Sequence, residues 1–323
     1  EGNYARMVAE LYNTTHHSYK LSLDKALNEL DELLPIIDEP LGDSAIIPSY
    51  ILSKLARNEN ITVMLSGAGG DELFGGYRRH FPNKQDIIAG KLSMVPISFW
   101  RLLGKITNRK VMHYGLQSWD KGSAYGINTS GIQLGLFDSI INDSRFFNDA
   151  MELSKSQFSK LNINEINNGY SYGRMITDLQ NYLLDNILSI TDKTSMAASV
   201  EARVPFLDHN LVELVFSVPP YINLGKNGYA SSKQTLKNIS KKILPKEILN
   251  REKTGFNAPV FSWIDSGNNI IGKRLNNLKH PALIELFNSN GISKIWSNSN
   301  KRKLASESLF IIYILDKWLE SHG

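Results

Sequence analysis

Residues Leu65–Tyr77 read "LSGAGGDELFGGY", five glycines and two adjacent acids directly after the apolar run "ITVM", Ile61–Met64. The run "ITVML" is β-branched and almost wholly apolar, the pattern of a strand covered by helices on both faces. Helical spacing precedes it at Ser49–Arg57, and helices alternating with strands predict a parallel sheet. In such a sheet ligands gather beyond the carboxyl ends of the strands, where Ser66–Gly70 falls. Glycines let the backbone approach a phosphate or sugar with no Cβ in the way. Amides at the start of the next segment can face an anion. Asp71 is the odd residue: a carboxylate beside a phosphate repels it unless a divalent cation lies between, and Mg²⁺ is commonly held by one or two carboxylates plus phosphate oxygens. The alternative is a tight strand-to-helix turn with Asp71 as its cap. Spacing alone does not choose between the two. No Gly-Lys-Ser/Thr follows, so this is not a P-loop.

Upstream, "EGNYARMVAELY" spaces Tyr4, Val8, Leu11 and Tyr12 for one face of a helix, "THHSYKLS" alternates as a short strand does, and Leu23–Leu34 returns to helical spacing. Pro40, Gly42 and Pro48 then break the pattern. Downstream of Phe81 strand signals are scarce. Helical periodicity recurs in "RMITDLQNYLLDNIL", "NLVELVFSV", "SKQTLKNISKKIL" and "SESLFIIYILDKWLE". The fold class is therefore α/β: residues 1–80 read as a partial α/β portion and residues 81–323 as a mostly helical one. Pro96–Gly135 carries no site signal.

Composition sets outer bounds. The 323 residues include 36 Lys and Arg against 32 Asp and Glu, a net charge of +4, too mild to suggest a nucleic-acid partner. With no cysteine there is no disulfide, thiolate metal site or cysteine nucleophile, which suits a reducing, cytoplasmic setting. The longest apolar run, Leu309–Leu315, is far short of the roughly 18 residues of a membrane helix. His16 and His17 are strand neighbours whose side chains point to opposite faces, so they cannot share a metal. The run "NKRK", Asn300–Lys303, reads as solvated surface, and Phe310, Tyr313 and Trp318 as the core-facing side of the last helix.

The loop goes beyond pattern. "LSGAGGDELFGGY" closely resembles the second nucleotide-site motif of the synthetase domain of glutamine-dependent asparagine synthetases and their relatives, the β-lactam synthetases. Three further stretches agree in order: "DEPLGDSAIIPSYILSKLAR", "DKTSMAASVEARVPFLDHNLVELV" and "LPKEILNREKTGFNAP". The resemblance runs from about Glu1 to the last helix. It implies an ATP-pyrophosphatase (adenine nucleotide α-hydrolase-like) fold, of which residues 1–80 are a sheet remnant. It further implies a ligase that adenylates a carboxylate with ATP and Mg²⁺ and transfers glutamine-derived ammonia to it, as in asparagine biosynthesis. Carried over by position, Ser66, Gly67 and Gly69 line the AMP portion, Asp71 binds Mg²⁺, and Lys253 holds pyrophosphate and the charge developing in the transition state. Taken without the family, Lys253 reads as a surface lysine. Glu201 borders the substrate pocket by resemblance and forms a salt bridge to Arg203 by its own surroundings. Asp192 and Lys193 match the family's central helix end and face either that cleft or solvent.

Two departures matter. The family's main ATP loop, a strand followed by Ser-Gly-Gly-x-Asp-Ser, occurs nowhere in these residues, nor does a glutaminase domain. Together with Glu1 beginning inside a helical pattern, this reads as a piece of a longer protein whose upstream part carries both; these residues alone would not complete the reaction, and a homo-oligomer is compatible with them. Ala68 stands where asparagine synthetases often carry an acid and β-lactam synthetases a tyrosine, which opens the acceptor to a sugar acid or another carboxylate. A non-catalytic binding module of the same fold is the rival of another class.

Overall fold

The computed structural model describes residues 2–81, 139–142, 169–225, 228–251, 255–267 and 269–323. Pro96–Gly135 and Lys253 lie outside these residues. The described part is mostly helical and holds one two-stranded parallel sheet, compatible with an α/β fold. Its opening elements are α1 (Gly2–Leu11), α2 (Leu23–Leu33), α3 (Ile46–Asn58), β1 (Val63–Leu65) and α4 (Gly70–Phe74). Further on, α5 (Gly169–Asp178) continues into a π-helical stretch, Leu179–Leu188, and then α6 (Ser189–Ala197), which leads to β2 (Glu201–Arg203).

The largest core forms where α2 and α3 meet the C-terminal helices. In α2 the buried positions Ala26, Leu27, Leu30 and Leu33 repeat at helical spacing, and Ser22 caps the helix by accepting from the Lys25 amide. The last helix, Ser306–His322, supplies Leu309, Phe310, Ile312, Tyr313 and Ile314, all buried. Each such side chain removed from water contributes on the order of 2 kcal/mol. Trp318 is only partly buried and donates its indole N–H to the Ile37 carbonyl (2.9 Å). Two smaller clusters hold the region of interest: Leu73, Phe74 and Val215 form one, and Phe81, Tyr172, Met175 and Leu224 the other.

Several expectations need correcting. Thr15–Ser22 forms no strand; Thr15–Lys20 is exposed, and only Leu21 packs against the core. In α1 only Ala9 is buried, while Tyr4, Leu11 and Tyr12 stay exposed. Pro48 does not delay α3, because it sits in the first turn, where no intrahelical N–H bond is lost. The "ITVML" strand exists, but it is not sheltered on both faces: Val63 is 40% and Leu65 74% exposed. Arg302, expected in solvent, instead donates to the carbonyls of Trp296 (2.6 Å) and Asp265 (3.0 Å).

Candidate nucleotide site

β1 and β2 pair in parallel with Val63 opposite Glu201, Met64 opposite Ala202 and Leu65 opposite Arg203. The pairing ends with the Ser66 amide donating to the Arg203 carbonyl (2.7 Å), so the glycine loop leaves from the carboxyl end of the strand. Ser66 Oγ then accepts from the Ala68 amide (3.2 Å), and the Gly70 amide donates to the Gly67 carbonyl (3.2 Å). Gly69 is the residue before α4 and has φ +88°; a Cβ there would lie 2.4 Å from Leu207 Cδ2. The 3₁₀ turn Pro205–Leu207 thus packs directly on the loop, bringing the "VPFLD" segment to it. Gly67 is different: it is exposed, and its Cβ would meet nothing within 4 Å, so its backbone is open to an incoming group.

Asp71 does not cap α4, whose N-cap is Gly69 with no side-chain bond. Its carboxylate pairs instead with Lys233 (2.7 Å). Lys233 is held in a left-handed conformation (φ 57°), and its amide donates to the Phe74 carbonyl at the end of α4 (2.9 Å). Between the two runs Gly76, where a Cβ would lie 1.6 Å from Asp71 Oδ1 and 2.8 Å from Lys233 Cε. Any side chain there would displace the Asp71–Lys233 pair. Glu72 points the other way, into the protein, and accepts from Tyr77 Oη (2.7 Å). Burial pushes the Glu72 carboxyl above its ordinary range, and burial likewise raises the Tyr77 phenol.

Beyond Lys233 opens a cavity of about 580 Å³ whose lining includes Arg78, Lys233, Lys237 and Arg251, with Tyr229 and Leu236 among the remainder and, among the described residues, no carboxylate. Its charge suits an anion. Lys253, two residues past Arg251, falls outside the described residues. Glu201 sits at the start of β2, opposite Val63 and below the loop, exposed, with Arg203 Nε donating to it (2.8 Å). That bond and the charge of Arg203 hold its carboxyl below the usual range. Lys193 pairs with Asp38 and Glu39, tying α6 to the segment after α2, and Asp192 is exposed.

The structure therefore gathers Ser66, Gly67, Gly69 and Asp71 in one loop and sets Glu201 on the adjoining strand. It adds Lys233, which the sequence showed only as part of a helical period. A left-handed lysine carries no sequence signature, and its partner lies 162 positions away. Among the described residues no three His, Cys, Asp or Glu side chains cluster as a metal site. No helix among them is long and apolar enough to cross a membrane.

Known proteins resemble this chain in sequence. The family model described as asparagine synthase matches residues 1–320. The chain is 28% identical over 278 residues to asparagine synthetase [glutamine-hydrolyzing] 1 of Bacillus subtilis, covering 82% of this chain and 41% of that protein. It is 26% identical to a putative asparagine synthetase [glutamine-hydrolyzing] of Mycobacterium bovis, covering 80% of this chain and 39% of the relative. An amidase of Gibberella zeae, chry2, is 24% identical, with coverage of 81% and 42%. The chain thus spans about two fifths of the length of the curated relatives it matches. With a family model matching nearly every residue and the glycine loop lying at the end of a parallel strand, this chain belongs to the asparagine synthase family.

Proposed function

We propose that the chain is the synthetase portion of a glutamine-dependent amidotransferase with an ATP-pyrophosphatase fold. A carboxylate oxygen of the acceptor attacks the α-phosphorus of ATP and expels pyrophosphate, giving an acyl adenylate. Ammonia then attacks the acyl carbon, AMP leaves with the original carboxylate oxygen, and an amide remains. The acceptor is aspartate. Ammonia comes from glutamine at a glutaminase domain, and the main ATP loop lies, like that domain, in a segment outside these residues.

The observation that carries this reading is the open Gly67 backbone at the carboxyl end of β1, next to the Asp71–Lys233 pair and a cavity lined by four cations. Ser66, Gly67 and Gly69 take the adenylate portion. Lys233, together with Lys253, meets the pyrophosphate, where a compact positive charge is suited to phosphate and to charge developing in the transition state. Asp71 fits Mg²⁺ whose remaining ligands are phosphate oxygens and water, since a single carboxylate suffices for such an ion. When bound, the ion would neutralise phosphate charge. Glu201 borders the acceptor.

A second reading keeps the chemistry and replaces aspartate with a bulkier carboxylate such as a sugar acid. Ala68 favours it, since its methyl group can neither ionise nor donate. The test is to supply the full-length protein with ATP, Mg²⁺, ammonia and either acceptor, and to measure pyrophosphate and amide together. Stoichiometric pyrophosphate and asparagine support the first reading. Turnover only with the bulkier acid supports the second, and no pyrophosphate with any carboxylate removes both in favour of a non-catalytic module.

A further inference from the structure

Beneath the glycine loop lies a buried polar network to which the nucleotide reading gives no task. Asp178, the last residue of α5, is fully buried and accepts from Arg79 Nε through both oxygens (2.9 and 3.2 Å) and from His80 Nε2 (2.5 Å). The Arg79 guanidinium lies 4.0 Å from the Tyr77 ring centre and 4.5 Å from that of Tyr182. Arg174, also buried, donates to the Arg79 carbonyl (3.1 Å). Tyr77 then reaches Glu72 in α4, one residue from Asp71.

The helix at this point is π rather than α from Leu179 to Leu188, a form that is rare beyond a single turn and frequent at functional sites. Within it Tyr182 packs on Arg79, and Asn186 donates to Asp43 (2.9 Å), which also holds the Ala45 amide at the entry to α3 (2.9 Å). Five-residue α4 is far too short to hold its own position. Its carbonyls are fixed by Asn223, donating to Leu73 (2.8 Å), and by the Lys233 amide on Phe74. Of the two acids in its first turn, Asp71 pairs with Lys233 and Glu72 accepts from Tyr77.

We propose that Asp178 is a positioning residue: through Arg79 and Tyr77 it fixes Glu72, and thereby sets where α4 presents Asp71 to the phosphates. A buried ion pair is by itself no evidence of function, since many such pairs only hold a core together. This one ends one residue from the site, and a displacement of about 1 Å at a reacting centre costs on the order of 10²-fold in rate. The inference rests on the proposed function for its kinetic readout only.

The experiment compares the full-length protein with Tyr77→Phe, which removes the hydroxyl and keeps the ring, and with Asp178→Asn. Hydrogen exchange is read on the amides of Gly70, Leu73 and Gly76 and, as a control, on Ser306–His322. Pyrophosphate release from ATP is read alongside. Loss of a hydrogen bond to a carboxyl group should speed exchange in the loop by about tenfold or more and leave the control helix unchanged. The kcat for pyrophosphate release should fall about 10- to 100-fold, with KM for ATP within about threefold of the parent. A folded variant in which either loop exchange or kcat keeps the parent value overturns the proposal. Should Asp178→Asn fail to fold, Tyr77→Phe decides alone. A parent that releases no pyrophosphate sinks the amidotransferase reading, and loop exchange then decides the positioning role by itself.

Discussion

Gly69 combines two constraints, a left-handed backbone and contact with Leu207, and both oppose any side chain. Gly69→Ala should therefore cost about 1–3 kcal/mol, seen as a lower denaturant midpoint at unchanged slope; a parent-like midpoint would show that the turn relaxes freely. Asp71→Asn should weaken metal-dependent ATP use far more than adenosine binding, since its oxygens serve the metal and phosphate side. Equal losses measured by calorimetry would assign it a purely structural part. His80 and Asp178 set an acid limit. Burial holds the His80 imidazole below its ordinary 6.5 despite the Asp178 carboxylate and the more distant Asp71, with Arg79 acting in the same direction as burial. Burial alone would raise Asp178, but His80 and Arg79 outweigh it and hold it below 3.8. In both cases the unfolded chain binds protons first, so stability falls as pH drops below about 6.5, and falls again below about 3.8. Melting from about pH 7 to about pH 5 should show the first decline, and His80→Gln should flatten it; parallel curves would contradict the assignment. At this scale Ser66, Gly67, Gly69 and Asp71 were legible because they sit together in the sequence. Lys233 and Asp178 were not, because each meets its partner across more than 90 residues of sequence that give no local sign of the contact.

Among the elements, α2, α3 and the last helix follow their apolar periods closely, since each has one face to bury. Periodicity could not show the π stretch, for its apolar residues still recur at near-helical spacing. β1 illustrates the other limit. Its composition foretold a strand and the alternation of helices and strands a parallel sheet, yet no property of "ITVML" says whether a neighbour is present to cover it. Among the described residues β1 is paired on one edge only, with Leu65 and Val63 exposed. A free, apolar strand edge recruits other strands. The 323-residue chain prepared by itself should accordingly self-associate with rising concentration in sedimentation velocity, and Leu65→Lys should shift it toward monomer. A monodisperse monomer at high concentration would mean that the edge is already covered.

Over the whole molecule, the family and its second nucleotide-site motif were readable from sequence, while the curated relatives extend well beyond the part that this chain matches. The relatives are more than twice as long as the matched region. The division of labour proposed here places adenylate recognition on Ser66–Gly69, phosphate charge on Asp71, Lys233 and Lys253, and the stability of that geometry on Asp178. In the full-length protein Lys233→Ala should lower kcat/KM for ATP by on the order of 10²-fold while leaving the melting temperature close to the parent. The central chemical claim, attack of a carboxylate on the α-phosphorus, is tested most directly by isotope transfer. The full-length protein is given ATP, ammonia and an acceptor whose carboxylate carries ¹⁸O, and the products are read by mass spectrometry. The adenylate route predicts one ¹⁸O in each AMP formed and none in pyrophosphate. Label in inorganic phosphate, or amide formed with no label in AMP, would contradict it.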